Sequence, residues 1–138
     1  MTVILDADIV IGALDAADAH HPEARALFAR WNDEVTARTM SVVNLTEVLV
    51  GLATDPAVLR VGREAIRALG VKPHVPNEGI AVEAARLRAR HPISLPDGYL
   101  LATARHVRAD VASFDRKLLR AAEAEDLRYV LPPERPSL

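Results

Sequence analysis

The sequence opens on Val3-Ile4-Leu5, a short apolar run that stops abruptly at Asp6. A strand that is apolar at every position has both faces buried, as in parallel sheets. Such a strand needs packed layers above and below it, and here it delivers the carboxylate of Asp6 to its carboxyl end. The same arrangement recurs late in the chain, where Asp110-Val111-Ala112-Ser113-Phe114 reads as a strand followed directly by Asp115. Further extended patterns fall around Val35–Ala37, over Val71–Val75 and at Leu127–Leu131.

Helical segments separate these runs. His21-Pro22-Glu23 starts a helix carrying Ala24, Leu27 and Phe28, because proline suits a first helical position. Ser41 caps a helix with Val42, Leu45, Leu49 and Leu52 on one face and Glu47 off that stripe. Asp55-Pro56 opens another helix and Gly70 closes it. Asn77 caps the helix of Ile80, Ala84 and Leu87, which His91-Pro92 ends because a residue before proline avoids the α region. Pro96-Asp97 begins a helix with Leu100, Leu101, Ala104 and Val107 inward, and a last helix runs from about Arg116 to Ala124. Alternating strands and helices make this an α/β chain with a parallel sheet, right-handed crossovers and both sheet faces covered. Its 138 residues suit one domain, residues 1–131, with a loose proline-rich tail over 132–138 and neither internal repeat nor linker.

Composition narrows the chemistry. With no cysteine there is no disulfide framework and no thiolate zinc site, so a bound metal must take oxygen or imidazole ligands. The amino terminus lacks the features of a signal peptide and no stretch is long enough to span a bilayer, so a cytoplasmic protein without membrane contact is expected. A net charge of −2 offers no global attraction to a polyanion. Nucleic-acid binding would therefore need a local basic face, metal ions or a partner's surface.

The acidic residues carry the functional signal. In open α/β sheets the ligand crevice lies outside the carboxyl ends of the strands. Asp6 and Asp115 occupy such ends, while Asp97 and Glu47 sit near the starts of helices, so the four can converge. Each aspartate alone reads more readily as a helix cap. Gathered carboxylates repel one another, and burial adds to the cost, unless some are protonated or a cation sits among them. Magnesium suits an open acidic crevice, since it prefers oxygen ligands and keeps several waters. A water bound to it can attack a phosphodiester while the ion neutralises charge on the phosphate.

Four segments resemble the PIN-domain nucleases, in particular the VapC-type toxins of type II toxin–antitoxin systems. They are Leu5-Asp6-Ala7-Asp8-Ile9-Val10-Ile11, Ser41-Val42-Val43-Asn44-Leu45-Thr46-Glu47-Val48-Leu49, Leu95-Pro96-Asp97-Gly98-Tyr99-Leu100-Leu101-Ala102-Thr103-Ala104 and Ser113-Phe114-Asp115-Arg116-Lys117. Together they span nearly the whole chain in the family's order. The resemblance implies a three-layer α/β/α sandwich, a magnesium or manganese site, endonucleolytic RNA cleavage, a homodimer and a cognate antitoxin that blocks the site. It carries the family's catalytic and metal-binding acids onto Asp6, Glu47, Asp97 and Asp115. Asp6 and Asp97 are the first choices for metal contact, the latter because a helix start favours its ionised form. Two departures stand out: Ser113 replaces the family's usual threonine, and Asp8 a small polar residue. Asp8 either caps the helix beginning near Ile9, the plainer reading, or touches a water on the metal.

Other residues have modest claims. Ser113 and Arg116 are candidate substrate contacts, and Arg116, Lys117 and Arg120 follow Asp115 closely enough to meet a phosphate. Arg86, Arg88 and Arg90 read as a solvated helix face, His20 and His21 as turn residues, and Phe28 and Trp31 as core or dimer contacts. Only 4% of residues are aromatic, so RNA shape and backbone should dominate substrate choice. Two alternatives remain. Asp6-Ala7-Asp8-Ile9-Val10 also resembles the nucleophile motif of haloacid-dehalogenase-like phosphatases, with Asp6 attacking phosphorus. A non-catalytic PIN-like module binding RNA or protein is the other. A receiver domain is weaker, because its aspartate should end a third strand.

Overall fold

A computed structural model describes residues 1–130. Strands β1 (Thr2–Leu5), β2 (Ala37–Ser41), β3 (Val71–His74) and β4 (Asp110–Ala112) form one sheet in the order β3-β2-β1-β4. Every neighbouring pair is parallel. The helices are α1 (Ala7–Leu14), α2 (His21–Asp33), α3 (Val42–Val50), α4 (Pro56–Ala68), α5 (Glu78–Arg90), α6 (Leu95–Val107) and α7 (Arg116–Ala124).

The apolar run that opens the chain is the central strand, and its residues divide between two cores. Val3 and Leu5 join Ile9, Val10, Leu27, Trp31, Met40 and Ile66 on one face. Ile4 joins Ile80, Leu87, Leu100, Leu101 and Leu118 on the other. The result is the expected three-layer α/β/α sandwich. Phe28 and Trp31 belong to the first core, meeting edge to face with centroids 5.1 Å apart. Burial of each contributes about 1.5–3 kcal/mol.

The chain steps outward from β1 to β2 and β3, then returns to place β4 on the other side of β1. That reversal makes the carboxyl ends of β1 and β4 a topological switch point, where α/β sheets place their ligands. The two ends are tied by the Asp6 N–H donating to the Ala112 carbonyl at 2.9 Å. Glycine at position 98 lets α5 and α6 cross closely, since a Cβ there would lie 2.9 Å from the Ala84 carbonyl oxygen.

Several boundaries differ from the sequence reading. β2 begins at Ala37 because Val35, despite its β-branched side chain, turns the exit of α2 at φ 54 and is 86% exposed. α1 begins at Ala7 rather than near Ile9. The deepest residues of α3 are Asn44 and Val48, with Leu45 and Leu49 only partly buried and Leu52 past its end. β4 stops at Ala112, freeing Ser113 and Phe114 from the ladder. The expected last strand shrinks to one bridge between Val111 and Tyr129. Leu131 and the expected tail over 132–138 lie outside the described residues.

At the carboxyl end of α7, Glu125 accepts hydrogen bonds from Arg90 at 2.9 Å, Arg105 at 3.1 Å and His91 at 2.7 Å. Arg105 also pairs with Glu83. Arg90, expected on a solvated face, is thus part of an ionic clamp joining α5, α6 and α7. Among the described residues no helix is long and apolar enough to cross a membrane.

Candidate active site

Asp6 leaves β1 and caps α1, its Oδ1 accepting from the Ala7 N–H at 2.7 Å. Its Oδ2 accepts from the Ser113 hydroxyl at 2.7 Å, and the residue is only 7% exposed. Ser113, itself buried, also accepts from the Asp115 N–H at 2.9 Å. One hydroxyl therefore ties the acid after β1 to the acid after β4. Asp8 does not cap the helix, contrary to the plainer reading. It stands in the first turn of α1 and reaches the same turn after β4, where its Oδ2 accepts from the Phe114 N–H at 3.0 Å. Its Oδ1 is buried without a hydrogen-bond partner.

Asp97 and Asp115 are held by their own helix starts. Ser94 caps α6, accepting from the Asp97 N–H at 3.2 Å, while Asp97 Oδ2 accepts from the Ser94 N–H at 3.3 Å. This reciprocal box fixes the Asp97 carboxylate at the first turn. Asp115 caps α7 by accepting from the Lys117 N–H at 2.9 Å. Glu47 projects from the exposed side of α3. On the buried side of the same helix, Asn44 donates to the Pro96 carbonyl at 3.2 Å and so binds α3 to the start of α6.

The acids influence one another electrostatically. Burial raises Asp6 to about 7, and the neighbouring charges of Asp8 and Asp97 push the same way, against the Ser113 hydrogen bond. Burial likewise raises Asp8 to about 6, with Asp115 adding to it and the Phe114 and Ser113 hydrogen bonds opposing. Burial and Asp97 raise Glu47. Asp97 is also raised, chiefly by burial, with Asp115 contributing. The helix start expected to favour ionised Asp97 is therefore outweighed by desolvation and like charge.

This donor set fits a hard divalent cation. It consists of carboxylate oxygens, one buried oxygen lacks any partner, and the acids raise one another's affinity for protons as an uncompensated cluster must. Among the described residues no three histidine, aspartate or glutamate side chains close round a single point. A cation held here would keep waters among its ligands rather than take a closed cage of side chains.

Arg116, Lys117 and Arg120 are exposed and have no ion-pair partner among the described residues. His21 is the first residue of α2 rather than a turn residue, and its Nδ1 lies 2.7 Å from the Gly12 carbonyl oxygen. His20 instead stacks on Phe114. Sequence reasoning passed over Asn44, Ser94, Phe114 and His20. The spacing Ser94-Leu95-Pro96-Asp97 was a visible capping box, whereas nothing local marks the contacts of Phe114 with Asp8 or His20.

The sequence matches the PIN domain over residues 3–124. No curated protein matches the sequence significantly. Among solved structures, the chain is similar to VapC20 of Mycobacterium tuberculosis, described as a sarcin–ricin loop cleaving toxin, with TM-score 0.73 and 18% identity over 94% of this chain and 99% of that one. It is similar to VapBC2 from Rickettsia felis, bound to a promoter DNA fragment, with TM-score 0.74 and 12% identity over 94% and 98%. A toxin–antitoxin complex from Klebsiella pneumoniae gives TM-score 0.67 and 23% identity over 82% and 86%. At such identities the likeness speaks for the fold. The family match, which runs from β1 to the end of α7, displaces the haloacid-dehalogenase reading of Asp6-Ala7-Asp8. This chain belongs to the PIN-domain family.

Proposed function

We propose that the protein is a magnesium-dependent endoribonuclease and the toxin of a VapBC-type toxin–antitoxin pair. The observation that carries this reading is the uncompensated acid cluster at the switch point, with Asp6 and Asp8 raised to about 7 and about 6 and Asp8 Oδ1 unpartnered. Asp6, Asp97, Asp115 and Glu47 would hold the ion, manganese being able to replace magnesium, and Asp8 would meet a water bound to it. When bound, the ion neutralises charge on the scissile phosphate and acidifies a water for attack.

The chain's own residues do the positioning. Ser113, expected to touch substrate, has its hydroxyl buried between Asp6 and Asp115, so its role is to aim Asp6. Glu47, on the exposed side of α3, helps to position the attacking water. Arg116 and Lys117 meet the phosphate backbone. The complexes of VapBC and related toxins among the structural neighbours support a cognate antitoxin partner, and a homodimer completes the reading.

Purified protein should cut RNA in magnesium and stop on chelation. Asp6→Asn and Asp97→Asn should each lose at least about a thousandfold, roughly 4 kcal/mol of transition-state stabilisation. RNA left intact by the parent, but bound by it, would favour the non-catalytic module instead. Growth arrest on expression, relieved by a small DNA-binding protein encoded next door, tests the toxin role.

A further inference from the structure

His20 lies outside the acid cluster, yet its ring rests flat on Phe114, with centroids 4.3 Å apart and planes within 14° of parallel. Phe114 stands between Ser113 and Asp115, and its N–H holds Asp8. Its own ring packs on the core beside α1 and α2, which anchors the stack. The His20 side chain is 46% exposed, and its Nδ1 lies 4.0 Å from the buried Glu23. The His20 backbone N–H is held by Asp18 Oδ1 at 2.8 Å, which fixes the main chain of the turn, and the stack on Phe114 orients the ring.

Just beyond the stack come Asp115 and then Arg116 and Lys117, both exposed. A partly exposed flat ring, stacked on a residue that two exposed cations follow closely in the chain, offers the combination that holds single-stranded nucleic acid, stacking for the base and charge for the backbone. The remaining aromatics are engaged elsewhere. Phe28 and Trp31 are buried, and Tyr99 and Tyr129 pack on the opposite core.

We propose that His20, stacked on Phe114, is a nucleobase-binding residue that takes the base of the nucleotide flanking the cleaved phosphate. This rests on the ribonuclease reading, and it changes the expectation that a chain with so few aromatics selects RNA by shape and backbone alone. Loss of the ring should raise KM for a single-stranded RNA on the order of tenfold and move kcat much less.

The test compares His20→Ala, His20→Gln and His20→Trp for KM, kcat and Tm. Stacking requires that Ala and Gln behave alike and that Trp restores KM. If the contact with Glu23 were what mattered, Gln would recover and Trp would not, and that result overturns the proposal, as would a parent-like KM for Ala. A random-sequence RNA carrying 2-aminopurine provides a readout independent of cleavage. The parent should quench its fluorescence and His20→Ala should not. A parent that quenches without cutting removes the nuclease reading and leaves the stack. A parent that cuts while His20→Ala quenches equally removes the stack alone.

Discussion

Helix α7 begins on one carboxylate and ends on another. At about 1.5 Å of rise per residue, the caps Asp115 and Glu125 lie roughly 15 Å apart. Around Asp115 the neighbours are more acids, and Asp8 and Asp97 bind protons more tightly because of it. Around Glu125 stand His91, Arg105 and Arg90, and these, led by the His91 hydrogen bond, hold it down to about 2. The same functional group is thus compensated at one end and left uncompensated at the other. A compensated carboxylate stabilises the fold. An uncompensated set destabilises it unless a cation joins it, which is the reason for proposing that binding takes place at this end.

The sharpest way to break this contrast is to remove charge from the uncompensated end. Asp97→Asn keeps a side-chain oxygen for the Ser94 N–H while deleting one of the repelling charges. It should abolish cleavage and leave metal-free Tm unchanged or raised. Saturating magnesium should stabilise the parent, by about 2.7 kcal/mol at a hundred times Kd, and the variant far less. A variant with clearly lowered metal-free Tm and parent-like activity would show that Asp97 is an ordinary cap.

Ser113→Ala should come next in size. It deletes a hydrogen bond that favours ionised Asp6 and Asp8 and strands the Asp115 N–H. Both aspartates then hold their protons to higher pH, and magnesium must displace them. Half-activation should need about 10- to 100-fold more magnesium, with the pH–activity midpoint shifted upward. Ser113→Thr, which keeps the hydroxyl, should stay near the parent.

Stability against pH separates the two ends by sign. Asp6 and Asp8 have folded values of about 7 and about 6, above their ordinary 3.8, so the folded state binds more protons. Their contribution is fully present below about pH 4 and is lost as pH rises toward 7. Glu125 runs the other way, its contribution present above 4.5 and lost as pH falls toward 2. Metal-free protein should therefore weaken in denaturant as pH rises from about 5 to 8, and magnesium should flatten that slope. A metal-free maximum at pH 8 would contradict the uncompensated cluster.

These residues also show what was legible beforehand. Asp6 could be placed because it follows a wholly apolar run, Asp115 because it closely follows an extended segment, and Asp97 because Pro96 before it and a periodic helix after it mark a helix start. The sheet was legible for the same reason, except at the expected last strand, reduced to one bridge at Tyr129, and at β2. There Arg38 and Thr39 form the ladder, and the β-branched Val35 that suggested a strand sits in a left-handed turn. The role of Asp8 was not legible, since its partner lies across the sheet at Phe114. Ser113 could be seen as a retained hydroxyl, but its junction between Asp6 and Asp115 exists only once β1 and β4 are adjacent. The ionic clamp on Glu125 draws on α5 and α6 as well as α7, and no helical spacing announces it.

That clamp supplies the smallest and most specific test. In Glu125→Gln the side chain keeps its size and loses its charge. Arg90 and Arg105 are 49% and 40% exposed, so both can rehydrate, and the loss should be modest, about 1 kcal/mol or a few degrees of Tm. Cleavage and magnesium dependence should be untouched, because the clamp lies a helix length from the acids. The difference in stability should hold down to about pH 4.5 and then close progressively as pH falls toward 2. Curves that merge already at the ordinary glutamate value near 4.5 would mean that the cations at this end do not compensate the carboxylate. The contrast along α7 would then reduce to a difference in burial alone.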